Sequence, residues 1–259
     1  MKLEVSHLSV RIRNQQILDD LSFTAETGSW LVIAGPNGAG KSTILRALCG
    51  SLPGRSPISG TILADGRDFQ AMRAKERARA AGLLSQNHTA EYDYTVEEVV
   101  RLGRYAWDPS AADEQLLSDA LRMTGLESHR NRLITTLSGG ELQRVFLAQL
   151  FCQDPAFLLL DEPSNHLDLI YEQQIFDLLK TWAAERGRGI ITVMHDLSLA
   201  RLYGDQVLLL DQGRSAGFGP PDAILTADRL EQVYHTDVYA WMRKLAQAWD
   251  EEKELPHQE

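Results

Sequence analysis

Apolar and polar positions alternate in part over residues 3–12, with Leu3, Val5, Leu8, Val10 and Ile12 apolar. A period near two predicts a half-buried, antiparallel strand. Asn14-Gln15-Gln16 reads as a turn, and the β pattern resumes over residues 18–23. Residues 30–34, Trp-Leu-Val-Ile-Ala, are apolar throughout, as in a central strand covered on both faces of an α/β sheet. Ile44, Leu45 and Leu48 then follow helical spacing over residues 42–49, which Gly50 and the Pro53-Gly54 pair bring to a stop. Residues 61–66 predict a short strand into a turn, residues 71–81 an Ala- and Arg-rich helix with a solvated charged face, and Leu83-Leu84-Ser85 another short strand that ends at Gln86.

Residues 87–93 are polar and unpatterned, so they predict a loop. After them the period turns helical: Val96, Val99, Val100 and Gly103 form one stripe, and Leu116, Leu117, Ala120 and Leu121 another. Strand character returns at residues 157–160, which run into Asp161-Glu162. Residues 171–184 predict an amphipathic helix ended by Gly187 and Gly189. Residues 190–194 predict a buried strand ending at His195, and residues 206–210 a further strand closed by Asp211-Gln212-Gly213. Strands alternating with helices imply a mostly parallel sheet, so the fold class is α/β with an inserted helical lobe. Ligands of such sheets lie outside the carboxyl ends of the strands, and Gly35, Asp161 and His195 all fall there.

At 259 residues the chain is one large domain, or a domain with an inserted lobe. A formal net charge of −10 disfavours nucleic acid as a partner. Cys49 and Cys152 are the only cysteines and stand far apart, which argues for a reducing compartment and against a disulfide framework or cysteine zinc site. No apolar run approaches the roughly 18 residues of a membrane span. The expectation is a cytosolic chain that reaches a membrane only through a partner. Residues 249–259 are acidic and expected to fray, with Trp249 free to dock on the domain.

The candidate chemistry begins at Gly35-Pro36-Asn37-Gly38-Ala39-Gly40-Lys41-Ser42, which matches G-x-x-x-x-G-K-[ST] between a predicted strand and a predicted helix. Glycines let backbone N–H groups close around an anion, and the helix N-terminus adds a favourable partial charge. Lys41 is placed to reach the β- and γ-phosphates of a nucleotide, and the Ser42 hydroxyl to bind Mg²⁺. Asp161, after four apolar residues, emerges at the sheet edge near this loop and suits the same metal. Glu162 points elsewhere and suits a general base that polarises water. A second glycine-bearing turn opens a helix at Leu137-Ser138-Gly139-Gly140-Glu141-Leu142-Gln143-Arg144, where free N–H groups and the Ser138 hydroxyl make another anion site.

That last stretch resembles the signature sequence of the ABC transporter ATPase family. The resemblance continues in order through Gln86 (Q-loop), residues 158–162 (Walker B with catalytic glutamate), Ser164-Asn165-His166-Leu167-Asp168 (D-loop) and His195 (switch histidine). It implies a P-loop NTPase, RecA-like core at 1–86 and 154–259 with an N-terminal antiparallel β subdomain, and a helical subdomain at 87–153. It implies ATP and Mg²⁺ as cofactors and two copies paired head to tail. The phosphate loop of one copy, including Thr43, then faces Ser138, Gly139, Gly140 and Gln143 of the other. Gln86 senses metal and γ-phosphate, Asp168 couples the two sites and His195 contacts the γ-phosphate.

One departure stands out. Family members often carry an aromatic residue on the early strand that stacks on adenine, and Ile12 occupies that place, so weaker discrimination between ATP and GTP is expected. Thr95-Val96-Glu97-Glu98-Val99-Val100-Arg101-Leu102-Gly103-Arg104 resembles the T-V-x-E-x-V-x-x-G-R stretch of ATPases that serve importers of iron–siderophore complexes, haem and cobalamin. The segments 195–200 and 219–226 fit the same subfamily. This implies a permease dimer docked on the 87–107 region, where Tyr92, Tyr94, Tyr105 and Trp107 are anchor or core residues. It also implies a substrate-binding protein as an indirect partner and a place on the cytoplasmic face of the membrane. The competing readings are a scaffold ATPase of an assembly complex such as iron–sulfur assembly, which should lack the T-V-x-E-x-V-x-x-G-R stretch, and the ATPase of another importer or exporter. A nucleic-acid-acting protein would need a second ATPase domain or a long insert that 259 residues do not hold.

Overall fold

The computed structural model describes residues 1–54, 56–85, 92–164 and 169–250. β1 (Lys2–Ile12) and β2 (Gln15–Glu26) form an antiparallel hairpin. Its turn is Arg13-Asn14, one residue earlier than the sequence suggests. Both residues have positive φ, 46° and 67°, the twist that two-residue hairpin turns favour. Gln15 and Gln16 are thereby paired with Ile12 and Arg11. β3 (Trp30–Ala34) is buried along its whole length and leads through residues 35–40 into α1 (Lys41–Cys49), capped by Gly50 at φ 70°. β4 (Ile58–Ala64) and β5 (Arg67–Asp68) complete a four-stranded antiparallel sheet in the order β2-β1-β4-β5.

The next helix, α2 (Ala74–Ala80), is shorter than the 71–81 expected. The Glu76 carboxylate accepts from the Arg73 N–H (2.9 Å) and fixes its start. Ala81 leaves it to pair with Phe157 as the first residue of β6 (Ala81–Leu84), so sheet pairing overrides the helix preference of alanine. The strand expected at 83–85 therefore begins two residues earlier. Gln86 and the loop expected at 87–93, as far as Glu91, lie outside the described residues.

The helical lobe holds α3 (Val96–Arg101), a 3₁₀ segment at Leu102–Ala106, α4 (Asp113–Met123) and α5 (Gly139–Gln153). Thr95 and Glu98 cap α3 reciprocally. Val96, Val99 and Val100 meet Leu117, Leu121, Val145 and Ala148 in one core. Gly103 is where the chain crosses α5, since a Cβ there would lie 2.3 Å from the Gln149 carbonyl oxygen. Glu97 ties the lobe together, accepting from Arg101 (2.6 Å) and Arg130 (2.5 Å).

After the lobe come β7 (Phe157–Asp161), α6 (Leu169–Arg186), β8 (Gly189–Val193), α7 (Leu197–Tyr203), β9 (Gln206–Asp211), β10 (Arg214–Gly219), α8 (Pro221–Ile224), α9 (Ala227–Tyr234) and α10 (Val238–Asp250). The second sheet has six strands in the order β10-β9-β3-β8-β7-β6, and only the edge pair β9 and β10 is antiparallel. Alternate residues of its central strands serve two cores. Leu31, Ile33, Leu159 and Ile191 pack with Ile44, Leu45 and Leu48 of α1 and with the hairpin. Trp30, Val32, Leu158 and Ile190 pack with Phe176, Leu179 and Trp182 of α6. Double coverage is why these strands read as unbroken apolar runs.

Two aromatic expectations resolve here. Tyr92, Tyr94 and Tyr105 are exposed, whereas Trp107 is half-buried, donates its indole N–H to the Gln153 carbonyl (2.6 Å) and lies against the guanidinium of Arg79. Trp249 does not dock on the domain: α10 continues through it, and it is 73% exposed. The first turns of α10 have apolar ground to rest on, but the helix outruns it.

Candidate active site

The phosphate loop is shaped by where it must pass. Gly35 has φ +143°, and a Cβ on it would sit 2.3 Å from the Leu210 carbonyl oxygen of β9. Gly40 has φ +98°, and a Cβ there would meet the Leu18 Cδ2 atom at 2.5 Å. Only glycine fits either place. Asn37 and Gly38 form the exposed tip while Ala39 is buried beneath it, and Thr43 lies half-buried in the first turn of α1. Lys41 is buried, and its ammonium donates to the carbonyls of Gly35 (2.8 Å) and Pro36 (2.9 Å) inside the loop. Burial pulls the Lys41 pKa below its ordinary value, while the nearby Glu162 and Asp161 carboxylates oppose the shift.

The carboxyl ends of β7 and β8 bring three further residues to this place. The Ser42 hydroxyl donates to Asp161 Oδ1 at 2.9 Å. Burial raises the Asp161 pKa, and the Ser42 hydrogen bond works against that rise. Glu162 takes a left-handed conformation (φ 53°), with its N–H on the Val193 carbonyl. Its side chain is thereby turned away from Asp161 and onto His195, with His195 Nε2 at 2.5 Å from Glu162 Oε1. A cavity of about 220 Å³ opens beside this pair, between Pro163, Glu172 and Asp196.

Ser138, by contrast, is exposed with Gly139, and a Cβ on Gly139 would meet nothing within 4 Å. The Ser138 hydroxyl donates to Glu141 Oε2 (2.7 Å), its N–H bonds the same oxygen (2.8 Å), and the Glu141 N–H returns to the hydroxyl. These bonds, led by the one from the Ser138 N–H, lower the Glu141 pKa. His129 and Arg132 flank the carboxylate at 3.2 and 3.6 Å. Among the described residues no hydrogen bond joins Ser138, Gly139 or Gly140 to the phosphate loop of the same chain. The Gln143 amide donates to the Pro163 carbonyl and ties α5 to the turn after β7. Gln86, His166 and Asp168 lie outside the described residues.

One contact had no local signal in the sequence. The half-buried Tyr234, at the end of α9, lies near the Gly35 backbone: burial raises the phenol pKa, and the Gly35 backbone opposes that rise. It approaches the first residue of the phosphate loop from a helix almost 200 positions away.

The family model described as ABC transporter matches residues 18–165. The chain belongs to the ABC transporter family. It is 39% identical over 246 residues to the hemin import ATP-binding protein HmuV of Ruegeria sp. (strain TM1040), covering 92% of each chain. It is 36% identical over 247 residues to an uncharacterized ABC transporter ATP-binding protein, YvrA, of Bacillus subtilis (strain 168), covering 92% of this chain but only 54% of that longer one. Among solved structures, an inward-facing putative metal-chelate type ABC transporter superposes with a TM-score of 0.76 at 26% identity, covering 91% of this chain and 89% of that one. The cbiO1 protein of Clostridium perfringens, part of the complex cbiONQ, gives 0.76 and 26%, covering 89% and 92%. This ABC protein is therefore an ATP-binding ATPase. Among the described residues no helix is long and apolar enough to cross a membrane.

Proposed function

We propose that this ABC ATPase drives uptake of haem or a chemically related metal chelate, an iron–siderophore complex or cobalamin, through a partner permease. The observation that carries the reading is the row Lys41, Ser42, Asp161, Glu162 and His195 at the carboxyl ends of β3, β7 and β8, in a chain whose relatives include hemin importers. Oxygen donors only 2.9 Å apart, one a buried carboxylate, suit a small hard cation such as Mg²⁺. Ser42 and Asp161 would hold it, and when bound it would neutralise charge on the β- and γ-phosphates. Lys41 binds the same phosphates, and its low solvent exposure makes each contact stronger than it would be in water. Glu162 accepts a proton from the attacking water, and His195 holds the Glu162 carboxylate in place and contacts the γ-phosphate. Gln86 and Asp168 belong to this proposal by resemblance to the family.

Ser138, Gly139 and Gly140 face outward on an exposed helix N-terminus. In the proposal they close on the phosphate loop of a second copy, head to tail. A groove of about 570 Å³ between α3 and α4, walled by Tyr94, Leu102, Tyr105 and Trp107 with Arg101 and Glu98 at its rim, is where the permease would dock. That places the protein on the cytoplasmic face of the membrane, peripherally, with a substrate-binding protein as an indirect partner. The test is uptake of labelled haem, ferric siderophore and cobalamin by cells that carry either this chain or its Glu162→Gln variant. Loss of uptake of one of the three in the variant supports the reading, and unchanged uptake of all three overturns it.

A further inference from the structure

Two helices of the lobe begin with the same cap and differ in one respect. At α3 the Glu98 carboxylate takes both the Thr95 N–H (2.7 Å) and the Thr95 hydroxyl (2.8 Å) on one oxygen. At α5 Glu141 Oε2 takes the Ser138 N–H (2.8 Å) and hydroxyl (2.7 Å) in the same way. Among the described residues no cation draws on the Glu98 carboxylate, whose cap is complete without one. Glu141 has two: its other oxygen, Oε1, faces His129 Nε2 at 3.2 Å and Arg132 at 3.6 Å. Starting a helix therefore does not require this pair. Of the two cations His129 is the nearer and the better enclosed, 24% exposed against 44% for Arg132, whose guanidinium also donates to the Thr136 carbonyl (3.2 Å). Arg130, from the same stretch, is turned to Glu97 of α3 instead.

We propose that His129 is a positioning residue of the composite site: through Glu141 it frees the Ser138 hydroxyl for the γ-phosphate of ATP held in the phosphate loop of a second copy, and does so best when its imidazole is charged. The inference rests on the head-to-tail pairing proposed above. The Ser138 hydroxyl has one proton, and Glu141 Oε2 holds it. To serve a phosphate oxygen the hydroxyl must turn from that carboxylate, and the phosphate oxygen would then stand no more than roughly 5.5 Å from Glu141 Oε2. Two anionic groups that close oppose the docking. A cation on Oε1 relieves both difficulties, because it weakens Oε2 as an acceptor and offsets the carboxylate's charge. Arg132 supplies part of this at every pH. His129 supplies the rest only when protonated, and histidine is the side chain whose charge ordinarily changes between about pH 5 and 8. Its surroundings accept either state without rearrangement: Nδ1 lies 3.1 Å from the Ser128 hydroxyl, which can donate or accept, while the Nε2–H stays on Glu141. The charge changes and the geometry does not.

The test measures ATP-driven dimerisation of the full chain in the Glu162→Gln background by sedimentation, from about pH 8 down to about pH 5.5. A partly exposed ion pair contributes about threefold at one site, and the two sites of a dimer compound it, so dimerisation should tighten about tenfold across this range. His195 is present in every variant, so the result is read from the differences between variants. His129→Gln keeps a donor to Glu141 without the charge and should lose that tightening, leaving the dimer at its alkaline strength. His129→Lys carries the charge throughout and should bring the alkaline dimer to within about threefold of the strength that His129 gives at the acid end. A His129→Gln profile parallel to that of the unaltered histidine, or a His129→Lys dimer no stronger than it at the alkaline end, overturns this proposal alone. Absence of an ATP-driven dimer at every pH with His129 in place overturns the head-to-tail reading and this inference with it.

Discussion

Glu162→Gln removes the proposed proton acceptor and little else. The backbone keeps its φ of 53° and its N–H bond to Val193, because glutamine has the same length and branching. The amide still reaches His195, whose Nε2 lies 2.5 Å from the replaced oxygen. Stability should therefore change by no more than about 0.5 kcal/mol, roughly 2 °C in melting temperature. The rate should not survive so well. A positioned general base contributes about 10²–10⁴-fold, which corresponds to roughly 3–5 kcal/mol in the barrier. Phosphate release under saturating MgATP should fall by that factor. His195 is expected to work partly by holding Glu162, so the double variant with His195→Ala should be no slower than about the worse single variant, since residues acting as a unit are not additive. A Glu162→Gln rate within about tenfold of wild type, or losses that multiply in the double variant, would refute the assignment.

Other consequences are separate from the chemistry. Arg130 and then Arg101 hold the Glu97 carboxyl down from 4.5 to about 2, an upper figure of about 3 kcal/mol at about 1.4 kcal/mol per pH unit. Its pKa is depressed on folding, so this stability is present above about pH 4.5 and is lost as the pH falls towards 2; urea unfolding of Glu97→Gln should show a deficit at pH 7 that closes over that window, and a pH-independent deficit would sink the idea. Gly103→Ala forces a methyl to 2.3 Å from Gln149 O and 2.8 Å from Gln153 N, both backbone atoms; overpacking of this kind costs about 1–3 kcal/mol, so calorimetry should find the melting temperature lower by roughly 3–10 °C. Ile12 is half-buried against the hairpin core and offers no ring to a base, so GTP should compete with ATP to within about tenfold, and Ile12→Tyr should tighten ATP binding by a stack worth about 1–3 kcal/mol. A strong ATP preference in the wild-type chain would contradict this.

What could be read along the chain was whatever is contiguous. β3, β7 and β8 announce themselves because burial on both faces leaves their runs almost wholly apolar, Asp161 and Thr192 being the exceptions, and Gly35 to Ser42 lies in a single stretch. Pairings across the fold were not legible. That Glu162 meets His195 depends on β7 and β8 being neighbours and on one left-handed residue, and neither is a local property. Tyr234 reaches Gly35 from a short helix with no motif of its own. Ala81 shows the opposite failure, where local preference favoured a helix and a partner strand decided otherwise. β10, with Phe218 as its one large apolar residue, carries too weak an alternation to be called a strand before its partner β9 is known. Of α10 only Trp249 was singled out from the sequence, and whether it docks or projects depends on how far the domain extends beneath the helix.

The most direct measurement is the mass of the Glu162→Gln variant in solution with and without MgATP, by light scattering. A site completed by two copies requires a 29.0 kDa monomer without nucleotide and twice that mass with it, and a bulky Gly139→Glu substitution should abolish the shift while leaving nucleotide binding to the phosphate loop intact. A variant that binds ATP tightly and remains a monomer would contradict the composite site.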